Sequence, residues 1–409
     1  MDVPPIVPVV FGADLAEYSV ARLFHETYGI KTLVLTDWMR GNINHSRILD
    51  VRMLPSGSLT DPARLVPIMK DIADEHSGKH LLMLGNLDEA LRIGTTHRAE
   101  LEPQWFIPAP PAEVIDAAND KSQFAHYVEQ AGCHYPASIH IQLSDRSSWD
   151  NVRHLRAPYV VKPANGPDYL RLRTCGVEKV APFATWEDLY AYLDHIAPTG
   201  INMIVQELIP GDDTTQWVVN GYIRRDGQLA AVGSGQVLLG LHDPTQLGNA
   251  GLILVCDHPE LVRQGLAIVE RIGLTGFFSL DVKIDPRDGT VYWLDLNPRM
   301  GRGSYYLNVG GVNVAQAVTD DALSRPCGSI QRLQREGIFA VLPRFLASRR
   351  YIRDPELRRR IRAARANTVN PLDYWPDFHP QRLFFRAAST INHLRRTRHY
   401  YPHPTDSGF

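Results

Sequence analysis

The chain has 409 residues and a mass of 46.0 kDa, too long for one ordinary core at about 150 residues per domain, so two or three packed units are expected. Its 44% hydrophobic, 22% charged and 9% aromatic residues exclude a wholly disordered, collagenous or coiled-coil protein. The net charge of −2 hides a split: residues 331–409 hold 16 Arg against 6 Asp or Glu, a balance of +10, which leaves −12 on residues 1–330.

No uninterrupted apolar run reaches about 18 residues, and the opening Met1-Asp2-Val3-Pro4-Pro5 lacks the basic and then apolar segments of a secretory signal. The expected location is cytoplasmic. Cys133, Cys175, Cys256 and Cys327 form no CxxC pair, so they read as free thiols rather than a disulfide framework or zinc knuckle.

The apolar run IVPVVF at 6–11, a helical pattern from Asp14 to Tyr28, a Gly29 stop and the second run KTLVL read as a βαβ unit. With HLLMLG at 80–85 they make the first ~115 residues a small doubly wound domain. No G-x-G-x-x-G or Walker loop is present. The segment Pro103–Pro111 reads as a linker. A helical pattern then opens at Asn119-Asp120-Lys121 and ends near Gly132. Next come YPASIHI, the strand YVVKPANG at 159–166, the amphipathic helix ATWEDLYAYLDHI and the buried strand MIVQELI. TQWVVNGYIRRDGQLAAVG reads as a hairpin turning at Asp226-Gly227. A helix at 258–272 precedes GFFSLDVKID and TVYWLDLNPR, which flank the turn Pro286-Arg287-Asp288-Gly289. The fold class is therefore mixed, α/β at the front and α+β behind it.

The last hairpin carries the chemistry. Asp295 and Asn297 stand at i and i+2 on one face, and pairing Asp285 with Val291 sets Asp281 opposite Asp295, whereas a one-residue slip sends it to the far side. Facing carboxylates repel unless a cation lies between them. Mg2+, or Mn2+, suits such an oxygen set; a solvated acidic strand face is the other reading. Lys162 ends an otherwise apolar strand and needs an anionic partner to stay charged there, for which a phosphate would serve. Lys121 heads the preceding helix, either in the same cleft or on the surface. Gln206-Glu207-Leu208-Ile209 precedes Pro210-Gly211-Asp212-Asp213, a turn able to read an adenine edge, with Asp213 placed for ribose hydroxyls or part of an ordinary acidic turn.

In this order, Lys121, KPANG at 162–166, QELIPGDD at 206–213 and DVKID to DLNPR at 281–299 resemble the ATP-grasp enzymes, over roughly residues 119–315. The resemblance implies ATP held between two α+β lobes. By position Lys121 and Lys162 match the phosphate lysines, Gln206, Glu207 and Ile209 the adenine contacts, Asp213 the ribose acid, and Asp281, Asp295 and Asn297 the magnesium ligands. Asp295 stands where Glu is usual. The segment Ala164–Gly176 lacks the customary Gly and Ser density of the lid, and its Arg171 and Arg173 either contact phosphate or are solvated. KPANGPDYLRLRTCGVEKV, QELIPGDDTTQWVVNGY and LDLNPRMGRGSYYLNVGGVN, with the opening VVFGADLAEYSVARLFHETYGIKTLVL, are further similar to bacterial carboxylate–amine ligases of the D-aspartate ligase type, which build peptidoglycan cross-bridges.

That likeness implies an ATP-grasp fold in three parts: a doubly wound βαβ pre-ATP-grasp domain at 1–118, an ATP-grasp domain at 119–330 (lid lobe about 119–205, metal-binding lobe about 206–330) and an Arg-rich helical C-terminal extension at 331–409. It implies activation of an amino-acid carboxylate, D-aspartate favoured, by ATP and Mg2+, followed by amide formation with an amine, a UDP-linked muropeptide favoured. A free dipeptide product is the nearer alternative and a non-catalytic nucleotide-binding regulator the more distant one. Arg299 is the candidate for stabilising transferred charge, or else pairs with Asp295; Arg302, between two glycines, is the candidate for a substrate carboxylate. No nucleic-acid partner is expected. From Pro380 onward Leu383, Ala387, Ile391 and Leu394 share a helical side with Arg382, Arg386, Arg395 and Arg396 around it, a pattern that fits docking on the acidic body first and peripheral contact with an anionic membrane second.

Overall fold

The computed structural model describes residues 3–164, 175 and 177–408. The front of the chain forms a five-stranded parallel sheet from β1 (Ile6–Phe11), β2 (Thr32–Thr36), β3 (Leu49–Met53), β4 (His80–Leu84) and β5 (Trp105–Phe106), ordered β3-β2-β1-β4-β5. All six residues of β1 are buried, as a strand covered on both faces requires, which is why it reads as an unbroken apolar run. Helix α1 (Leu15–Tyr28) starts where the Asp14 N–H donates to Glu17 at 2.9 Å. It stops at Gly29, whose φ of 68° is the left-handed conformation glycine adopts without a Cβ penalty. The Pro103–Pro111 segment is more than a linker: Trp105 is 1% exposed, its indole donates to the Met69 carbonyl at 2.9 Å, and β5 completes the sheet edge.

After α2 (Lys121–Gln130), capped by the Asp120 side chain, β6 (Ser138–Gln142), β7 (Tyr159–Pro163), β8 (Ala181–Phe183) and β9 (Asn202–Glu207) form an antiparallel sheet ordered β6-β9-β7-β8. Helix α3 (Trp186–Ile196) covers it, burying Leu189, Leu193 and Ile196.

The largest sheet, ordered β14-β13-β10-β11-β12-β15-β16, comprises β10 (Gln216–Ile223), β11 (Leu229–Leu241), β12 (Asn249–Val255), β13 (Gly276–Ile284), β14 (Val291–Asn297), β15 (Gly337–Ala340) and β16 (Thr368–Val369). The β10–β11 hairpin turns where the Arg224 N–H donates to the Gln228 carbonyl, spanning Asp226-Gly227 as the sequence suggests. Helix α4 (Pro259–Ile272) buries Leu261, Val262, Ile268, Val269 and Ile272 against one face. The Arg-rich region contributes β15 and β16 as well as helices α5 (Pro355–Ala364) and α6 (Pro380–Tyr400).

Candidate functional site

The register of β13 against β14 decides what faces the cleft. At the turn Ile284 pairs with Val291 and Val282 with Trp293, one residue away from the pairing of Asp285 with Val291 read from the sequence. A bulge then takes up Leu294, and Asp281 lies opposite Asp295, Ser279 opposite Asn297. The bulge is what gives Asp295 its face. Trp293, fully buried, packs on the α4 side with its indole bonded to Gln264 at 3.0 Å; in regular pleating a residue two further on would follow it there.

Asp281 has no hydrogen bond or ion pair among the described residues. Burial, then the Asp295 carboxylate, push it up to about 7. Burial acts on Asp295 too, but the Lys121 ammonium, which forms an ion pair with it, and Lys162 beyond outweigh burial and hold it below the carboxylate range. Among the described residues Lys162 reaches only an amide, the Gln206 Oε1 at 3.4 Å, and burial with the nearby Lys121 lowers it to about 8. The structure thus brings Lys121, Lys162, Asp281 and Asp295 together. Lys179, which nothing in the sequence singled out, joins them: desolvation lowers it while Asp295 and Asp281 draw on its charge, and its ammonium donates to the Leu247 carbonyl at 3.0 Å.

Asn297 accepts from Arg299 at 3.0 Å, and the rest of that guanidinium holds Asp88, which opens the helix after β4, at 2.7 Å, so Arg299 does not pair with Asp295. Arg302 pairs with Asp14 at the head of α1 at 3.2 Å. Both arginines therefore stand between the front sheet and the large sheet, beside the C-terminal ends of β1 and β4, where the strand order of an open parallel sheet reverses and ligands bind.

At the other end of the cleft Gln206 is 4% exposed, with its amide 3.4 Å from the Pro136 carbonyl, and Glu207 accepts from the Arg156 N–H at 2.8 Å. Ile209 is buried. Asp213 accepts at one oxygen from the Gly240 N–H (2.8 Å) and the His242 ring (2.9 Å). Lys283 is buried two residues from Asp281 and donates to the Ser407 carbonyl at 3.0 Å. Arg171 and Arg173 lie outside the described residues.

In α6, Leu383, Ala387 and Ile391 face solvent and Leu394 is half-buried, while Arg382, Arg386 and Arg396 turn inward to Asp377, Asp373 and Asp243. Among the described residues no helix is long and apolar enough to cross a membrane.

No protein-family model matches the chain. It is 28% identical over 322 residues to the D-aspartate ligase of Enterococcus faecium (strain Aus0004), covering 77% of this chain and 76% of that protein. Among solved structures it is similar to an L-amino acid ligase from Bacillus licheniformis (TM-score 0.55, 16% identity, 81% of this chain and 79% of the other). An N5-carboxyaminoimidazole synthetase from Staphylococcus aureus complexed with ADP (0.58, 13%, 83% and 82%) and a Campylobacter jejuni biotin carboxylase in an ATP-type complex (0.59, 14%, 81% and 74%) share the same arrangement. The fold is the ATP-grasp fold, and the chain is an ATP-dependent ligase similar in sequence to bacterial D-aspartate ligase.

Proposed function

We propose that the protein joins an amino-acid carboxylate, D-aspartate favoured, to an amine of a UDP-linked peptidoglycan precursor in the cytoplasm, with hydrolysis of ATP to ADP and phosphate. The observation that carries this reading is the facing pair Asp281 and Asp295 with Lys121 and Lys162 beside it. Among the described residues no three His, Cys, Asp or Glu side chains converge on a metal; the set here is two carboxylates and the Asn297 amide. The donors fit Mg2+, which takes oxygen ligands with substrate phosphates completing the shell. Asp281, without a hydrogen-bond or ion-pair partner among the described residues and resisting ionisation, is a group whose charge a divalent cation would relieve.

Phosphoryl transfer depends on positioning and charge neutralisation. Bound at Asp281, Asp295 and Asn297, Mg2+ supplies charge neutralisation at the phosphates. Lys162 and Lys121 take phosphate oxygens, the former having no carboxylate partner to give up among the described residues. Glu207, Gln206 and Ile209 line the adenine end, and Asp213 takes ribose hydroxyls. Arg302 holds the substrate carboxylate through its planar fork, and Arg299 stabilises the charge that develops during transfer. The carboxylate attacks the γ-phosphorus to give an acyl phosphate and ADP, and the amine then displaces phosphate to form the amide. The three-part division at 1–118, 119–330 and 331–409 belongs to the same proposal.

ADP release measured with D-aspartate and UDP-linked muropeptide, and then with free amino acids alone, tests the reading. Turnover with the muropeptide is expected; turnover only with two free amino acids would assign a free-dipeptide product instead. Asp295→Ala is expected to abolish ADP release while leaving the circular dichroism spectrum unchanged, and near-normal turnover would refute the metal assignment.

A further inference from the structure

Residues Asp406–Gly408 reach the face of the large sheet that carries Asp281. The Gly211 N–H donates to the Asp406 carbonyl at 2.6 Å, Lys283 donates to the Ser407 carbonyl at 3.0 Å, and a Cβ on Gly408 would stand 3.3 Å from the Gly211 carbonyl and 3.4 Å from the Gln216 amide. Gln216 and Lys283 are register partners across β10 and β13, on the face that carries Asp281. The segment Tyr401–Gly408 thus runs past the strand ends next to Asp213, and Tyr401 at its start reaches His242.

The Tyr401 ring stacks on His242 with centroids 3.5 Å apart and planes 5° from parallel. The other end of that imidazole, Nε2, donates to Asp213 Oδ2, which also accepts from the Gly240 N–H. Two donors on Oδ2 leave Oδ1 without a partner among the described residues. An imidazole held by one hydrogen bond still swings about its χ2 torsion, and the stack removes that freedom. Tyr401 is itself fixed: it is 2% exposed, its carbonyl accepts from the Tyr351 hydroxyl at 3.1 Å and its phenol oxygen from the Thr405 N–H at 3.2 Å. Beside it Arg396 holds Asp243, the neighbour of His242, at 3.0 Å. Among the described residues no contact ties Tyr401 directly to the adenine or phosphate residues, so its effect on nucleotide passes through His242.

We propose that Tyr401 is a positioning residue of the nucleotide site: its ring clamps His242, His242 fixes the Asp213 carboxylate, and Asp213 keeps one oxygen turned to the ribose hydroxyls of ATP. The inference rests on the assignment of Asp213 to ribose. It makes the Arg-rich region a working part of the cleft, because α6 delivers the clamp.

The test compares ATP with 2′-deoxyATP in the full-length protein. Tyr401→Leu, which keeps the bulk but not the ring, is expected to raise KM for ATP roughly 5-fold, the scale of one aromatic stack, with kcat at saturating ATP unchanged. The preference for ATP over 2′-deoxyATP should fall by the same factor, and Tyr401→Phe should restore both. An unchanged preference in Tyr401→Leu, with Asp213→Asn losing it, would overturn the clamp and leave the ribose assignment standing. An unchanged preference in Asp213→Asn would overturn that assignment itself. A lower KM in Tyr401→Leu would mean the segment obstructs the site, and would also overturn the clamp. Should Tyr401→Leu not fold, His242→Leu reads the same link, with loss of the preference expected and its retention refuting.

Discussion

Asp281 and Asp295 are the same side chain on neighbouring strands, yet they are driven in opposite directions. Both lose solvent, which disfavours charge; Asp295 has two ammonium groups close enough to reverse that, and Asp281 has chiefly its twin. Lys162 is the mirror image, a base lowered to about 8 by burial and by Lys121. One further buried acid stands apart from this set. Glu17 is 1% exposed beneath Gly12 and Gly85, its Oε2 accepting from the Asp14 N–H, and burial with the nearby Asp14 raises it from 4.5 to about 7. A carboxyl raised on folding favours the native state fully below its unfolded value, and that contribution is lost as pH climbs through 7. Glu17→Gln keeps an acceptor for the Asp14 N–H and removes the charge. Urea unfolding should show variant and wild type of nearly equal stability near pH 4.5, with the variant ahead by about 3 kcal/mol at pH 8; a wild type as stable as the variant at pH 8 would contradict this.

At the scale of the element, the bulge in β14 lets one strand serve two cores. Upstream of Leu294 the strand sends Trp293 to the α4 side, and downstream it sends Asp295 and Asn297 to the cleft. Inserting one alanine between Asp281 and Val282 should give Leu294 a partner, restore regular pairing and carry Asp281, Asp295 and Asn297 toward the helix-facing side. ADP release is then expected to fall at least about 100-fold with far-ultraviolet circular dichroism retained; activity within a few-fold of wild type would show that the bulge does not set the face. Such a feature is hard to read in a sequence, because alternation is broken by a single residue that is itself apolar. What was legible were elements whose burial is continuous or strictly periodic: β1, α1, α3 and the two hairpins. β3 escaped notice because only Leu49 of its five residues is buried, so it carries neither alternation nor an apolar run. β5 was hidden inside a proline-rich stretch, and Lys179 sits in a segment with no period. The motif residues were found by type and order, but their partners, Asp88 on Arg299 and His242 on Asp213, come from distant parts of the chain and leave no local trace.

Taken as a whole, the molecule does not use its basic region by laying it on an acidic body in general. Of the ion pairs that region makes among the described residues, those of Arg353, Arg359, Arg360, Arg382 and Arg386 go to its own acids, Asp406, Glu356, Glu336, Asp377 and Asp373, and only Arg396 reaches back, to Asp243. The attachment to the front of the chain runs instead through buried contacts: Arg22 of α1 donates to the Asn370, Pro371 and Asp373 carbonyls, and a second knot centres on Arg382. Arg382, 6% exposed, donates to the Asn42 and Asn44 carbonyls at 3.0 and 3.1 Å, lies 4.5 Å over the Tyr18 ring and pairs with Asp377 at 3.1 Å. Asp377, 2% exposed, in turn accepts from Tyr18 at 2.7 Å, Ser46 at 2.9 Å and the Arg47 N–H. Removing the arginine strands a buried carboxylate among neutral donors, a change that costs about 3 kcal/mol or more. Arg382→Ala should therefore lower stability by about that amount in urea unfolding, while combining it with Asp377→Asn should cost less than the sum of the two single changes. Because the pair is shielded from solvent, the cost should persist from about 0.1 M to about 1 M salt, over which exposed pairs are screened away. A loss that vanishes at high salt would place this contact on the surface, and the helix that carries Tyr401 to the cleft would then need another anchor.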